Sequence, residues 1–443
     1  VSSVAVAVGV AQGGGSLLCG TAGDDYVAAR AGLRREWVVQ VPFDSAGWRL
    51  ESVTVGDTLV VACSSDGGVH AVQAAAEAGQ PRPGSLLWSK RVGTPGGLVQ
   101  PAGIGTSLVT VGRDLDVHAF DAHSGVLRWT CPLGHATSAA AVQAGANVYC
   151  PMSDDGLMRL PANLSGVVNA SDSDGQELDT GMPIEQPPVP YAVGDPPRIG
   201  AVWINDEGRV IAEVPDERDG WNVWSFDTRV PGETVAEPAG PPAVRGETIY
   251  VVTRSGRLDA LRPSPSTGGE LERAWTQPVF LPGVPQSGPI VAGDRVIVSL
   301  GAEGIVAYSA LPDELASRVS AKPEDAPDDA DGAVDTAAAK PKPSGLLWRT
   351  PCGIGGRVVA VAGDRVWFVD AVGRLASVDV ATGEPRECLP LGGFTLPVPA
   401  TVGDRIVLAS PDGLLVSLAP RRTVTAGPDA AAPAAVDPAA TPE

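Results

Sequence analysis

The chain repeats one pattern of apolar and polar positions along most of its length. Each copy has an apolar strand, a Gly-Asp turn, a second apolar strand, an Asp-Gly turn and a third strand, and a loop then leads to a strand marked by tryptophan. The clearest copies occupy residues 53–72, 290–309, 360–378 and 400–418. A degenerate period of roughly 40 to 50 residues is typical of repeat architectures.

Both turns of the unit combine glycine with an acidic or small polar residue. Glycine supplies the positive φ that tight hairpins need, and aspartate tolerates the neighbouring position. The first turn recurs as Gly56-Asp57, Gly194-Asp195, Gly246-Glu247, Gly293-Asp294, Gly363-Asp364 and Gly403-Asp404. The second recurs as Asp66-Gly67, Asp155-Gly156, Glu207-Gly208, Ser255-Gly256, Glu303-Gly304 and Asp412-Gly413. Each unit is therefore predicted to be a small antiparallel meander.

Tryptophan marks the fourth strand of most units. The chain has 10 Trp against 6 Phe and 5 Tyr, so tryptophan is used at chosen positions rather than as general core filler. The marker residues are Trp37, Trp88, Trp129, Trp224, Trp275 and Trp348. In one degenerate unit we expect Val167 and Val168 at this position, and we expect a further outer strand without tryptophan near Glu387.

A meander of this size cannot bury its own apolar faces or protect its edges. Stacking the sheets radially around an axis buries those faces between neighbours. The pattern therefore predicts an all-β fold, an eight-bladed β-propeller of four-stranded antiparallel sheets. Nine units can be counted if residues 1–41 are included, but the segment after Leu418 has no tryptophan strand, so we expect the strand at Trp37 to complete the last blade. A ninth blade is the alternative.

The predicted domain organisation places the propeller at residues 33–421. Residues 1–32 are expected to form extra strands or a partial blade, and with no Lys or Arg before Arg30 they lack the basic leader of a secretory signal. The segment 316–345 is rich in Pro, Ala and acidic residues and is expected to be a disordered insertion. Residues 422–443 are expected to be a disordered tail.

The overall charge narrows the classes of partner. Lys plus Arg come to 32 and Asp plus Glu to 52, a formal charge of −20. Such a field repels phosphate backbones and anionic lipid surfaces, so nucleic acid is not an expected partner. No apolar run is long enough to cross a membrane.

The six cysteines do not form a recognisable motif. They are Cys19, Cys63, Cys131, Cys150, Cys352 and Cys388, with no CxxC and no adjacent pair. This spacing does not fit a zinc site or a redox dithiol. We favour buried thiols, with disulfides as the alternative.

Two segments resemble a known repeat motif. AFDAHSGVLRW at 119–129 resembles the AxDxxTGxxxW motif of pyrroloquinoline-quinone-type (PQQ-like) propeller repeats, with Ser124 in place of Thr. SVDVATGEPRE at 377–387 matches the turn but has Glu387 where tryptophan is expected. The resemblance implies that the Asp and Thr of the motif brace the turn while tryptophan packs between blades. The motif residues are Asp121, Gly125, Asp379 and Gly383.

The resembling family contains enzymes and non-catalytic proteins. Its dehydrogenases hold PQQ and calcium over the central funnel, beneath a disulfide between adjacent cysteines, and no Cys-Cys pair exists in this chain. The resemblance therefore favours the non-catalytic branch, which includes BamB-like outer-membrane assembly lipoproteins and extracytoplasmic sensor domains. We expect no enzyme activity and no cofactor.

The isolated histidines and acidic residues do not form a recognisable metal or catalytic site. His70 and His118 occupy equivalent points of two units, as repeat position alone explains. The acidic loop with Asp172, Asp174, Glu177 and Asp179 lacks the ligand ladder of a calcium loop. No nucleophile elbow, Walker loop or dinucleotide motif occurs. We expect no catalytic, cofactor or metal residues.

The sequence thus favours a non-enzymatic scaffold that mediates protein-protein interaction in the bacterial cell envelope, as a monomer or part of a larger complex. The partner is not identified by the sequence, and a cytoplasmic location is the alternative. Two other functions stay open: a PQQ-dependent quinoprotein dehydrogenase and the ligand-sensing domain of a receptor.

Overall fold

A computed structural model describes residues 20–154, 156–169, 175–216, 220–229, 235–264, 268–311, 345–351 and 353–421. Within these ranges the strands form eight separate sheets, each built around antiparallel neighbours. The sheets follow one another around a ring, so the predicted eight-bladed propeller is confirmed. The ninth blade has no counterpart in the described part of the chain.

The first four blades are continuous in sequence. Blade 1 comprises β2 Leu50–Val55, β3 Leu59–Ser64, β4 Gly68–Gln73 and β5 Leu86–Arg91. Blade 2 comprises β6 Gly103–Ile104, β7 Leu108–Arg113, β8 Asp116–Asp121 and β9 Leu127–Pro132. Blade 3 comprises β10 Val142–Ala144, β11 Asn147–Pro151, β12 Gly156–Pro161 and β14 Gln176–Asp179, after a short β13 Gly166–Val167. Blade 4 comprises β15 Val189–Val193, β16 Arg198–Ile204, β17 Arg209–Pro215 and β18 Trp221–Asp227.

The next three blades follow the same order. Blade 5 comprises β19 Ala243–Arg245, β20 Thr248–Val252, β21 Arg257–Pro263 and β22 Leu271–Arg273, with β23 Val279–Phe280 also paired to β21. Blade 6 comprises β24 Ile290–Ala292, β25 Arg295–Ser299, β26 Ile305–Ser309 and β27 Leu346–Arg349. Blade 7 comprises β28 Gly356–Ala362, β29 Arg365–Asp370, β30 Arg374–Asp379 and β31 Pro385–Pro390, and Glu387 lies in β31 as expected.

The last blade joins the two ends of the described chain. Its sheet comprises β33 Ile406–Ala409, β34 Leu414–Pro420 and, as the outer strand, β1 Leu33–Gln40, whereas β32 Thr401–Gly403, which precedes β33, joins the sheet of blade 7. β1 pairs antiparallel with β34, with Trp37 opposite Ser417, while β32 hydrogen-bonds in parallel to β28 of blade 7. The predicted closure by the strand at Trp37 is thus confirmed. It gives β34 a partner on an edge that would otherwise be open.

The apolar core is divided into eight clusters, one between each pair of neighbouring blades. The cluster between blades 1 and 2, for example, joins Val61 and Trp88 to Val109 and Phe120. Its members come from the second, third and fourth strands, whose side chains are buried between the sheets. Each blade therefore buries its apolar side chains against the neighbouring blade, as the repeat pattern predicts.

The start of the described chain differs from the sequence prediction. Residues 25–30 form a helix, α1 Asp25–Arg30, where extra strands or a partial blade were expected, and Asp24 caps it by accepting from the backbone of Tyr26 and Val27. Ala28 packs into the cluster between blades 7 and 8. Residues 1–19 and the predicted insertion and tail, apart from Gly345, lie outside the described residues.

Two outer-strand predictions are wrong in detail. Val167 is 81% exposed in β13, which pairs in parallel with β9 of blade 2, while β14 supplies the outer strand of blade 3. Trp275 lies between β22 and β23 rather than in a strand, although its ring is buried. Outer strands are held by backbone pairing at a half-exposed edge, so an apolar marker is not required there.

The strand order gives the ring two different faces. The first strand of each blade lies nearest the axis, and first strands of neighbouring blades contact each other around the channel. The upper face consists of the turns between second and third strands, such as 65–67, and the connections between blades, such as 92–102. The lower face consists of the turns between first and second strands, such as 56–58, and the loops between third and fourth strands, such as 74–85.

Candidate functional site

The upper face carries exposed apolar side chains. Phe280 is 66% exposed and Val372 is 73% exposed, and both lie in segments of this face. Its exposed large apolar residues are Trp48, Leu98, Leu115, Val235, Phe280, Val284 and Val372. They come from four of the connections between blades and two of the hairpin turns, so the apolar character is spread over several blades.

The lower face is acidic. Six of the eight blades place an exposed carboxylate in the turn between first and second strands. These residues are Asp57, Asp195, Glu247, Asp294, Asp364 and Asp404. Arg295 and Arg365 neutralise part of this charge by pairing with Asp294 and Asp364. Carboxylates are exposed on the upper face as well, for example Glu185, Glu237 and Glu303, so its distinguishing feature is its exposed apolar side chains, which include the aromatic residues Trp48 and Phe280.

A pocket of about 530 Å³ opens where the first strands of blades 5 to 8 begin. Its walls are formed by the segments 241–244, 287–291, 357–358 and 397–402. Most of the lining side chains are those of Pro, Val, Ile and Ala, and Arg357 is the charged residue among them. Pockets of this size with apolar walls and few polar groups are typical of small-ligand sites.

Arg357 is held in place by a backbone carbonyl rather than by an acid. Its Nη1 donates to the Val398 carbonyl oxygen at 2.9 Å, across from blade 7 to the connection before β32. Burial lowers the pKa of the Arg357 guanidinium. Among the described residues no salt bridge includes Arg357. The sequence interpretation missed this residue, since one arginine in an apolar strand gives no pattern.

A Ser-His-Asp cluster in blade 1 has the residue types of a catalytic triad, but its hydrogen bonds connect them in a different order. Ser64 Oγ lies 2.5 Å from Asp66 Oδ1 and 3.3 Å from His70 Nε2, while His70 Nδ1 faces Ser89 Oγ at 2.9 Å. In a triad the acid would orient the histidine through Nδ1. Here the serine contacts both, and Asp66 also pairs with Arg91 at 2.7 Å. The arrangement braces the hairpin turn that follows Ser64.

His118 repeats this structural role in blade 2. Its Nδ1 lies 3.1 Å from Thr130 Oγ1 on the adjacent outer strand, the position that corresponds to Ser89 beside His70. Burial lowers the pKa of His118 and lowers that of His70 to about 4. The structure therefore keeps these two histidines apart, each bound within its own blade.

Four of the marker tryptophans make one repeated contact. Each indole nitrogen donates to the carbonyl oxygen of the residue just after the third strand of the next blade. The pairs are Trp37 to Ala74 at 3.1 Å, Trp88 to Ala122 at 2.9 Å, Trp129 to Ala162 at 3.3 Å and Trp348 to Val380 at 2.9 Å. Between blades 5 and 6 the hydroxyl of Tyr250 donates to the matching acceptor, Ala310 O, at 2.7 Å.

The two other marker residues are placed differently. Trp224 lies in β18 and is half-buried at the interface between blades 4 and 5. Trp275 packs against Tyr250, with ring centroids 5.8 Å apart. Where Trp275 leaves the strand, Tyr250 supplies the hydrogen bond to the next blade.

The motif residues of the two repeat turns lie beneath these rings. Asp121 accepts from the Ser124 backbone and hydroxyl and pairs with Arg128 at 2.6 Å. Asp379 accepts from the Thr382 backbone at 3.0 Å and pairs with Arg386. A Cβ on Gly125 would lie 2.5 Å from the Trp88 ring, and one on Gly383 would lie 2.5 Å from the Trp348 ring.

The described cysteines are free. Cys63, Cys131 and Cys150 are buried, which raises the pKa of the Cys63 and Cys131 thiols to about 11, whereas Cys388 is exposed. Cys19 and Cys352 lie outside the described residues, as do Asp172 and Asp174 of the acidic loop. Glu177 and Asp179 lie in β14.

The pocket where the first strands of blades 5 to 8 begin does not fit PQQ and calcium. Within the described ranges no group of three or more His, Cys, Asp or Glu residues is placed to hold a metal ion. The lining of the upper pocket has neither a carboxylate nor an aromatic floor. The residues of this pocket therefore do not fit the metal and quinone pair. In the described part of the chain, no helix has the length and apolar character needed to span a membrane.

Comparisons with known proteins agree with this architecture. The family model described as outer membrane protein assembly factor BamB matches residues 66–176 and 206–324, more than half of the chain. BamB from Moraxella catarrhalis has 15% sequence identity and a TM-score of 0.56, over 87% of this chain and 99% of that chain. A comparison with curated proteins gives no match.

Two further solved structures share the fold at lower identity. Sqt1 from Saccharomyces cerevisiae has 9% identity and a TM-score of 0.54, over 86% of this chain and 98% of that chain. The computationally designed Ika8 protein has 12% identity and a TM-score of 0.50, over 87% and 99%. At such identities the likeness shows the fold alone. Because the family model covers more than half of its residues, the chain belongs to the BamB-like family of propellers with PQQ-type repeats.

Proposed function

We propose that this chain is a non-enzymatic scaffold that binds a protein partner through its upper face, in the bacterial cell envelope. The observation that carries the proposal is the set of exposed apolar side chains around the upper face, which includes the aromatic residues Trp48 and Phe280. Exposed apolar groups on a polar surface are typical of protein contact sites.

The upper face has the residue types that anchor interfaces. Trp48 and Phe280 are exposed aromatic residues in separate connections between blades. Leu98 is exposed in a third connection, and Val284 is exposed in the same connection as Phe280. Aromatic residues carry a large share of binding energy when a partner covers them. The acidic lower face would instead repel an acidic partner and keep the chain soluble at that side.

The experiment compares single charge insertions on the two faces. Phe280→Asp places a carboxylate on the upper face, and Val126→Asp is its matched control, since Val126 is 55% exposed in a lower-face loop. With immobilised full chain and envelope extract, we expect Phe280→Asp to lose a specific partner that both wild type and Val126→Asp retain. Equal capture by both variants would contradict the proposal.

The envelope location rests on the family match, whose description names an outer membrane assembly factor. It is tested by fractionation of the producing cells, with the full-length gene expressed at its natural level. Recovery with periplasmic or membrane markers is the expected result. Recovery with cytosolic markers alone would contradict it.

The non-enzymatic part of the proposal has its own test. The residues of the upper pocket do not fit PQQ and calcium, so we expect no alcohol-dependent dye reduction after reconstitution with both. Turnover that depends on added PQQ would overturn this part while leaving the partner-binding proposal to the capture experiment.

A further inference from the structure

The pocket at the upper mouth of the channel contains an uncompensated positive charge. Arg357 extends from β28, and its recorded hydrogen bond to Val398 O uses one of the five donors of a guanidinium. Burial lowers the pKa of this guanidinium, and no salt bridge among the described residues includes it. The remaining donors are available to a ligand.

Two of the three fully buried arginines in the described structure are paired with acids, whereas Arg113 donates to the backbone carbonyl of Thr94 and Arg357 is only half-buried. Arg159 lies 2.8 Å from Glu213, and Arg257 lies 2.7 Å from Asp259. A guanidinium removed from water without an anion is unfavourable, which is why such groups are normally paired. Arg357 differs from these residues in lining an open pocket, where no carboxylate of the described structure pairs with it and an anionic ligand could reach it.

The pocket walls define the rest of the ligand. Pro241, Pro289, Pro397 and Pro399 have no backbone N–H to donate, and Val244 and Ile290 add apolar surface. The walls therefore suit an apolar body, while Arg357 supplies the charged donors. One guanidinium balances one negative charge, and its fork matches a carboxylate through two parallel hydrogen bonds.

We propose that this pocket binds a monocarboxylate with an apolar body, its carboxylate on the Arg357 guanidinium and its body against the proline-rich wall. The volume of about 530 Å³ accommodates either a small branched carboxylic acid or the last residues of a peptide with a free C-terminus. Entry is from the upper face, because the carboxylates at the lower mouth repel an anion. The site is independent of the partner-binding proposal.

The test uses calorimetric titration of the full chain with three probes. They are N-acetyl-Ala-Pro-Val with a free carboxylate, the same peptide as its C-terminal amide, and 3-methylbutanoate. We expect the free acid to bind at least roughly tenfold more tightly than the amide, since each tenfold is about 1.4 kcal/mol and a charge-assisted bidentate contact is worth more. Binding by the peptide assigns the ligand to peptide termini, and binding by 3-methylbutanoate alone assigns it to small acids.

Variants separate this site from nonspecific binding. Arg357→Gln keeps an amide donor for Val398 O and should reduce affinity for the free acid at least tenfold. Arg357→Lys, a second variant that keeps the charge but loses the fork, should bind with intermediate affinity. Arg82→Gln, an exposed arginine in a lower-face loop, is the control and should bind like wild type. Equal affinity for acid and amide, unchanged binding by Arg357→Gln when it folds, or no binding of either acid would overturn the proposal.

Discussion

The indole nitrogen of Trp88 lies 2.9 Å from the carbonyl oxygen of Ala122 in the next blade, and the ring lies over Gly125. The buried ring of Trp88 thus makes a hydrogen bond to the next blade and packs against the glycine of its turn. Gly125 has φ +65°, so it also adopts a conformation that side chains disfavour. The interface between these blades therefore depends on a residue with no side chain.

The first prediction concerns this glycine. Gly125→Ala would place a Cβ 2.5 Å from the Trp88 ring, so we expect a loss of about 3 kcal/mol in unfolding free energy from overpacking and backbone strain together. Gly134→Ala is the matched control, with φ +76° and nothing within 4 Å of its added Cβ. Urea unfolding should show a clearly smaller loss for the control. Equal losses would mean that backbone strain alone accounts for the effect.

The second prediction concerns closure of the ring. Deleting residues 1–40 removes β1 and leaves β34 without its outer partner. We expect a lower unfolding midpoint and concentration-dependent association through the exposed strand edge, measured by light scattering and thermal unfolding. Deletion of residues 1–19 is the control, and it should behave as the full chain does. A stable monomer lacking β1 would show that this strand is dispensable.

The third prediction concerns the buried pair between blades 3 and 4. Burial raises the pKa of Glu213 above its usual value near 4.5, although Arg159 acts in the opposite direction. The folded protein therefore holds this proton more tightly than the unfolded chain does. The stabilising contribution is complete below about pH 4.5 and is lost as the pH rises through the folded pKa.

Glu213→Gln removes that titration. We expect the unfolding free energy of wild type to fall relative to the variant as the pH rises from 4 to 8 in urea titrations. Glu77→Gln, at an exposed loop position, should run parallel to wild type over the same range. A constant difference between wild type and Glu213→Gln would refute the prediction.

The fourth prediction concerns His70. Its pKa is lowered by burial from 6.5 to about 4, with Asp66 acting to raise it and Arg91 to lower it. The unfolded chain therefore binds this proton more readily. The associated stability is present above pH 6.5 and is lost as the pH falls toward 4.

An NMR titration of the imidazole should report a midpoint near pH 4. His70→Gln should weaken the fall in stability between pH 6.5 and 4, whereas His123→Gln, at an exposed turn, should leave it unchanged. A His70 midpoint close to 6.5 would be incompatible with the buried environment that the structure gives this ring.

The architecture could be predicted because its repeat signals are local. Glycine turns at Gly56 and Gly403 and the missing outer strand after Leu418 were enough to predict that Trp37 closes the last blade. The outer strand of blade 3 could not be predicted, because Gln176–Asp179 is held by backbone pairing with Arg159 and its neighbours and has no apolar marker. Propensity at an exposed edge is too weak to identify such a strand.

The pocket was beyond sequence reasoning for a different reason. Arg357 and Val398 belong to different blades, and the proline wall comes from two more. None of these segments has a sequence motif of its own, and the pocket forms only when the ring brings them together. The upper apolar face has the same origin, since Leu98 and Phe280 are far apart in sequence and are related only by the strand order.

Because Leu33 pairs with Pro420, the ring of blades can close only after both of these residues have been synthesised. β1 is synthesised before the other described strands, yet its partner β34 is made almost four hundred residues later. Contacts this distant in sequence are slow to form, because a long loop must be ordered before they stabilise anything. The early blades can pack against one another as they are synthesised. The ring closes only when β34 is available to pair with β1.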